Sequence, residues 1–426
     1  MSAVELLPEE VWLLVFEYLP TPDKFSVRSS CKLFRRLIDR PTFWRNTTVY
    51  LDKITSYKPH FWKTLRQRKT SSVVALKASG VREWTEISSR LPWLCSLSLH
   101  LCSDPKGLET LGLLKNLKRL DILQCRCPNL ASLTSLVQLT RISLCEIVRA
   151  PRTDVYNAVS QLTNLTSIYY HENKNPIPRT AFHNILRCLP NLKRLSLKMG
   201  ANQSPLPSDY FCPNDTNQMS GEPKYGTLGL TSLELLNYMD PMVSPTALQS
   251  IPSLKSLTVQ YRCWVAVSSL CPLKSWLSTL PSLAELSISY GYELGAYAKS
   301  VPGTVQNLQL KAVVGELEDV REIALKVPDL LCLHLDLYCR NTHSYVAELP
   351  QLFPKLQSLK IRHNNITERE FLQLAQIPNL KRLEVLDNNV ALEDLIHKLQ
   401  VQTNYRIHVT HSLDTKDRNA CLCSHN

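Results

Sequence analysis

His411, Cys421, Cys423 and His425, close to the carboxyl end, are the side chains best suited by type to hold a metal, and fourteen cysteines in all could supply thiolates. Their spacing argues against both uses. Zinc sites set their ligands in two short, regularly spaced pairs, whereas here a lone Cys-x-Cys follows His411 after a long gap. The other cysteines stand singly in apolar segments, as buried thiols do in a reducing compartment. Cys423 is fourth from the end, yet Ser424, His425 and Asn426 do not make the aliphatic box that prenylation reads. Catalysis would need a nucleophile with its base, a carboxylate pair or a phosphate cradle, and sequence alone assembles none of them. Eleven glycines in 426 residues leave little for glycine-rich loops. No catalytic residue, metal or cofactor is expected, and the chemistry left to this chain is recognition.

Lysine and arginine number 49 against 37 acidic residues, a net charge of +12, which suits nucleic acid, an acidic membrane surface or an acidic protein partner. The stretch HFWKTLRQRK from His60 to Lys69 combines Trp62 with Arg66, Arg68 and Lys69. A solvated helix explains it better than nucleic-acid contact, which stays the weaker reading. No run of about 18 apolar residues exists for a membrane span. The segment Val11–Leu19 is short, contains Glu17 and follows acids rather than bases, unlike a secretory leader. No membrane partner is expected, and the chain is placed in the cytoplasm with the nucleus also open.

The elements that position the recognition residues announce themselves by self-similarity. LPWLCSLSL from Leu91, LKNLKRLDI from Leu114, LVQLTRISL from Leu136, LTNLTSIYY from Leu162 and LPNLKRLSL from Leu189 share one pattern. It returns from Leu230, Ile251, Leu280, Pro302, Val327, Phe353 and Ile377, making about twelve copies at a mean step of 26 residues, the period of leucine-rich repeats. The seventh and ninth residues of every copy, from Leu97/Leu99 to Leu383/Val385, are apolar and should point into a shared core, because one repeat cannot bury its own apolar side. Helical stretches such as 154–162, 316–327 and 367–377 supply the outer layer, the last opening on a capping-box pair, Thr367 and Glu370.

Side chains alternate across a strand, so the residues flanking each inward pair line the opposite, concave wall. Twelve strands about 4.8 Å apart would extend that wall over roughly 50 Å. Its substrate-binding residues are read as Arg119, Arg141, Arg194, Lys198, Asn237, Met239, Thr258, Gln260, Lys311, Lys360, Arg362 and Arg382. Basic ends around a neutral centre suit an acidic or phosphorylated protein segment. The solenoid is expected over 73–409, with a Pro/Ser/Asn-rich loop insertion near 200–227 and a disordered tail over 410–426.

The first 45 residues lack the repeat. From Leu7 they read LPEEVWLLVFEYLPTPDKFSVRSSCKLFRRLIDRPTFWR. Pro8 suits a first helical turn, Val11, Leu14, Val15, Tyr18 and Leu19 follow helical spacing, and Pro20 with Pro22 end the helix. Asp23 caps a second helical segment, and a stripe of Cys31, Phe34, Leu37 and Ile38 stops before Pro41. Trp12 and Phe16 lie on another face of the first helix, and so small a bundle cannot bury both faces. One is left for a partner. This segment resembles an F-box in Leu7-Pro8-Glu9, Tyr18-Leu19-Pro20, Asp23, Val27, Cys31, Phe34-Arg35-Arg36 and Phe43-Trp44, with Phe34 where the family commonly has Trp.

Together with the repeats, the resemblance is to F-box and leucine-rich-repeat proteins. It implies an all-α F-box over 1–45, here followed by a helical linker over 46–72, and then an α/β horseshoe of parallel strands with outer helices. It also implies a non-catalytic substrate receptor of an SCF (Skp-cullin-F-box) ubiquitin ligase. In that role Leu7, Pro8, Val11, Leu14, Phe16, Leu19, Val27, Cys31, Phe34 and Trp44 would grip the Skp adaptor that joins the chain to the cullin-RING core. The repeats would hold a protein substrate for ubiquitin transfer and degradation. The rival reading is a leucine-rich-repeat scaffold or inhibitor outside the ubiquitin pathway, with residues 7–44 serving only as an end cap.

Overall fold

Prolines set the amino-terminal helices. Helix α1 (Glu9–Glu17) starts on Pro8, and α2 (Thr21–Ser30) carries Pro22 in its first turn, where the missing N–H costs nothing. Helix α3 (Lys32–Ile38) is capped by Cys31, whose sulfur accepts from the Phe34 N–H at 3.4 Å. The computed structural model describes residues 7–45, 47–103, 107–126, 130–148, 150–172, 176–199, 206–211, 229–239, 243–265, 271–338, 345–363, 366–386 and 392–412. Most of the expected 200–227 insertion and the tail beyond Ser412 lie outside these residues. Among the described residues no helix is long and apolar enough to cross a membrane.

The fold is an F-box-type helical bundle followed by a leucine-rich-repeat array of fifteen parallel strands taken in chain order. Two compact units divide at Tyr169/Tyr170. The first holds the bundle, β1 (Thr48–Leu51), α4 (Pro59–Gln67), β2 (Ser72–Leu76), β3 (Ser96–His100), β4 (Arg119–Leu123) and β5 (Arg141–Cys145). The division falls within β6 (Ser167–His171). The second holds β7 (Arg194–Lys198), β8 (Ser232–Tyr238), β9 (Ser256–Trp264), β10 (Glu285–Gly291) and β11 (Asn307–Val314), then β12 (Cys332–Tyr338), β13 (Ser358–Arg362), β14 (Arg382–Leu386) and β15 (His408–Ser412).

In both units the registers align the inward pairs: Leu97 faces Leu120, which faces Ile142, and Leu308 faces Leu333, which faces Leu359. All these side chains are buried. Outer helices such as 317–326 and 368–373 cover the other side, and Thr367 with Glu370 closes the anticipated capping box, Thr367 N–H donating to the Glu370 carboxylate at 2.8 Å.

Three boundaries differ from the sequence reading. The stretch 46–72 contains helix α4 but is not only a linker, because Thr48–Leu51 pairs in parallel with Ser72–Ala75 and so begins the sheet. Its strand lacks the leading leucines of the motif. At the other end Thr410 belongs to β15, which runs on to Ser412 and pairs with β14, so the expected disorder does not begin at 410. The copy assigned to Leu230 is shifted by three residues, since Leu195 and Leu197 face Leu233 and Leu235, not Leu236 and Tyr238.

A periodic backbone feature supports the corrected register. The second residue after the inner pair takes a left-handed φ at Lys77, Leu101, Gln124, Glu146, Asn237, Tyr290 and Ala312. Asn237 therefore occupies a kink one residue before the end of its strand, a conformation asparagine tolerates better than most, and is not a wall residue. Past the kink Tyr238 turns into the core against Tyr261 and Trp276. Met239 also lies beyond the strand. The wall positions of β8 are Ser232, Glu234 and Leu236 instead.

Candidate partner-binding surfaces

The bundle builds its core from rings. Phe16 packs edge-on against Phe34 at 5.0 Å and faces Phe43 at 6.4 Å, while Trp12 meets Phe34 at 4.7 Å. Leu37, Ile38 and Trp44 complete this cluster. Choosing the aromatic face of α1 for the inside leaves the aliphatic face outside: Leu7, Val11, Leu14 (59% exposed), Val15 and Tyr18 (87%) are all exposed. They recur at the spacing of one helical face, and Pro8 beside Leu7 is exposed too.

Of the ten residues read as adaptor contacts, Leu7, Pro8, Val11 and Leu14 are thus on the surface, and Leu19, Val27, Cys31 and Phe34 are half-buried. Phe16 and Trp44, 2% and 3% exposed, are corrected to core residues. A bundle this small needs its largest rings inside to have a core at all. Val15 was in the sequence stripe but not among the contacts, and it belongs with the exposed ridge on the same helical spacing.

Trp44 has a second task. Its indole N–H donates to the Ile38 carbonyl, and its ring lies 3.8 Å below the Arg68 guanidinium, which follows α4 in the first repeat. Arg68 also donates to Asp39 at 2.8 Å, the same carboxylate that Arg28 grips with two hydrogen bonds of 2.8 and 2.9 Å. The basic stretch that suggested nucleic acid therefore spends Arg68 on holding the bundle to the repeats. Partial burial works against ionisation of Asp39, but the hydrogen bonds from Arg28 and Arg68 outweigh it and hold the carboxyl below its ordinary value of 3.8.

A carboxyl lowered in this way contributes stability above its unfolded value, and that contribution is lost as pH falls through the folded one. The difference in melting midpoint between the intact chain and Asp39→Asn should accordingly shrink as pH is taken from 6 to 3. Parallel curves across that range would remove Asp39 from the joint.

On the open face of the first unit, Arg119 is tied to Asp121 at 2.8 Å and Arg141 lies over the Tyr169 ring at 4.2 Å. Both cations are partly committed to their own wall. In the second unit Arg194 is exposed, with Lys198, Thr258 and Gln260 half-buried. Arg362 clamps Asp336 with bonds of 2.6 and 3.0 Å, and Lys360 bonds Glu384 at 2.6 Å. Among the described residues Lys311 and Arg382 form no ion pair.

A close histidine and hydroxyl pair on this face, His171 with Ser196 at 2.7 Å, does not make an activated nucleophile. Ser196 is buried, and its hydroxyl proton goes to Glu234 and so is not held by the imidazole. Among the described residues no cluster of His, Cys, Asp or Glu is arranged to hold a metal; of the metal-type residues at the carboxyl end, only His411 is described.

A family model described as the F-box domain matches residues 4–46. The chain carries an F-box ahead of leucine-rich repeats. The chain is also similar to F-box/LRR-repeat protein 12 of Homo sapiens, 28% identical over 153 residues that make up 35% of this chain and 43% of that protein. It therefore matches less than half the length of this curated relative. Among solved structures it resembles an internalin of Listeria monocytogenes, with 14% identity, TM-score 0.41, and 77% of this chain and 82% of that one covered. It also resembles a chain of a TLR13–ssRNA13 complex at 16% identity and TM-score 0.45, covering 83% and 57% of the two chains. A chain of the Toll–Spatzle complex of Drosophila is alike at 17% identity and TM-score 0.45, covering 85% and 55%.

Proposed function

We propose that the chain is a substrate-receptor subunit of an SCF-type ubiquitin ligase. The F-box binds a Skp-type adaptor of the cullin-RING core, and the open strand face of the repeats holds a protein substrate. The observation that carries this reading is the ridge of Leu7, Val11, Leu14, Val15 and Tyr18, exposed on a bundle whose core is already complete without it. Apolar side chains at one helical spacing are what a partner's groove receives, and a contiguous exposed apolar patch of this kind marks an interaction site.

In this reading the chain performs no bond chemistry. Holding a substrate lysine near the charged ubiquitin carrier turns a bimolecular encounter into an intramolecular one. The Arg68 joint serves the same end, because substrate and adaptor must keep a fixed relation for that local concentration to be realised.

The test is gel filtration of the purified chain with a Skp-type adaptor, beside a variant that begins at Thr47. The receptor reading expects the intact chain to co-elute with the adaptor, and the shortened one to stay folded and elute alone. Aggregated repeats from the shortened variant, together with an intact chain that ignores the adaptor, would favour an end cap instead.

A further inference from the structure

Resting on the reading of the strand face as the substrate surface, we propose that the cavity over β11–β15 receives the phosphoryl group of a phosphorylated side chain on the bound protein. The cavity measures about 550 Å³ and opens where Cys332 and Ser358 put short side chains between the longer Asn307 and Arg382 of the same row. The next row brings Gln309, His334, Lys360 and Glu384 to its wall, and Lys311 reaches it from the middle of β11.

Charge decides the ligand. Lys311, Lys360 and Arg382 line the cavity against one carboxylate, Glu384, which Lys360 already holds. Asp336 is no counter-ion to spare, being clamped by Arg362. Counting lysine, arginine and carboxylate side chains, the lining carries an excess of two positive charges. A carboxylate would leave one of them unanswered, whereas a phosphoryl group carries about −1.5 to −2 at neutral pH and three acceptor oxygens.

The pocket is also short of an acceptor's company in the way an anion site is. Burial, helped by the charge of Lys360, draws the Lys311 ammonium below its ordinary value. Burial, then Lys311 and Lys360, push His334 down to about 3, so its ring is neutral at working pH. The His334 Nε2 is buried with no hydrogen-bond partner among the described residues. A phosphoryl oxygen would accept from it in the tautomer that places the proton there.

A ledge beside the cavity argues for a protein-borne phosphate over the free ion. Trp264, 46% exposed, stacks edge-on with Tyr290 and Tyr338 at 5.9 and 5.3 Å. Its indole N–H is anchored at 2.7 Å to the carbonyl of Ala312, the residue after Lys311. Aromatic side chains with one polar handle favour such contacts with a bound chain.

The test uses the full chain without adaptor and four probes: N-acetyl-phosphoserine methylamide, the serine and aspartate counterparts, and inorganic phosphate. Titration should show the phosphoserine probe binding at least tenfold more tightly than the serine and aspartate probes and than phosphate. Lys311→Met and Arg382→Gln should each cost it tenfold or more, while Arg369→Gln, exposed on the outer helix 368–373 and outside the cavity, leaves it unchanged. Equal binding of the aspartate probe, a preference for inorganic phosphate, or indifference to Lys311→Met would each overturn the proposal. Lys311→Met removes a half-buried charge that has no ion-pair partner among the described residues and should raise the melting midpoint, which separates lost binding from lost folding. Because no adaptor is present, failure here leaves the ligase reading standing, and failure of adaptor binding leaves the cavity result untouched.

Discussion

Phe16→Ala should unfold the F-box while the repeats stay folded. Deleting a buried phenyl ring typically costs about 3–5 kcal/mol, and a unit of some 40 residues has little more than that in hand. The ring is shared by Phe34 and Phe43 and stacks 5.8 Å from Trp12, so no neighbour can fill its place without abandoning another contact. Urea titration should show the amino-terminal tryptophans, Trp12 and Trp44, exposed before the repeat transition begins, with adaptor binding lost. Phe16→Leu, which keeps most of the volume, should restore much of both. A native fluorescence spectrum in Phe16→Ala would mean that the rings do not form the core. The surface reading of Phe16 and the core reading also part here, because only the second expects the fold to go with the binding.

The repeats were legible in the sequence because every copy must bury an apolar pair, and burial at fixed spacing is what a one-dimensional pattern can record. Where a strand's neighbours already supply that burial, the pattern weakens. In the segment leading to β2 the fourth position of the motif, where Leu94 stands in the next copy, is Thr70, a buried polar residue, and in β1 the inward pair is only Val49 and Leu51. Neither reads as a repeat without the pairing. In β8 two candidate pairs, Leu233/Leu235 and Leu236/Tyr238, are both buried, and composition cannot choose between them. The left-handed kink at Asn237 does. An asparagine two places after an apolar pair was a usable sign of the register.

The F-box shows a different limit. Two apolar faces on α1 announced that one would remain uncovered, but not which. Hydropathy does not rank Trp12 and Phe16 against Val11 and Leu14 for the inside; the need to fill a small core with few side chains does. The same size argument moves Trp44 from a contact to a core residue. The joint through Arg68 and Asp39 was illegible because its partners are 29 residues apart and each is an ordinary surface type.

The ridge of α1 is the feature on which adaptor binding depends most directly, and Leu7→Ala/Val11→Ala/Leu14→Ala removes it. All three side chains are exposed, so truncating them should leave circular dichroism and the melting midpoint unchanged. Central apolar anchors at an interface cost about 2 kcal/mol or more apiece when truncated. The decisive measurement is the dissociation constant of a purified Skp-type adaptor for the wild-type and triple-variant chains by calorimetry. A folded variant that binds at least about 100-fold more weakly is the expected result, and a folded variant that binds as tightly as the wild type would contradict the receptor function.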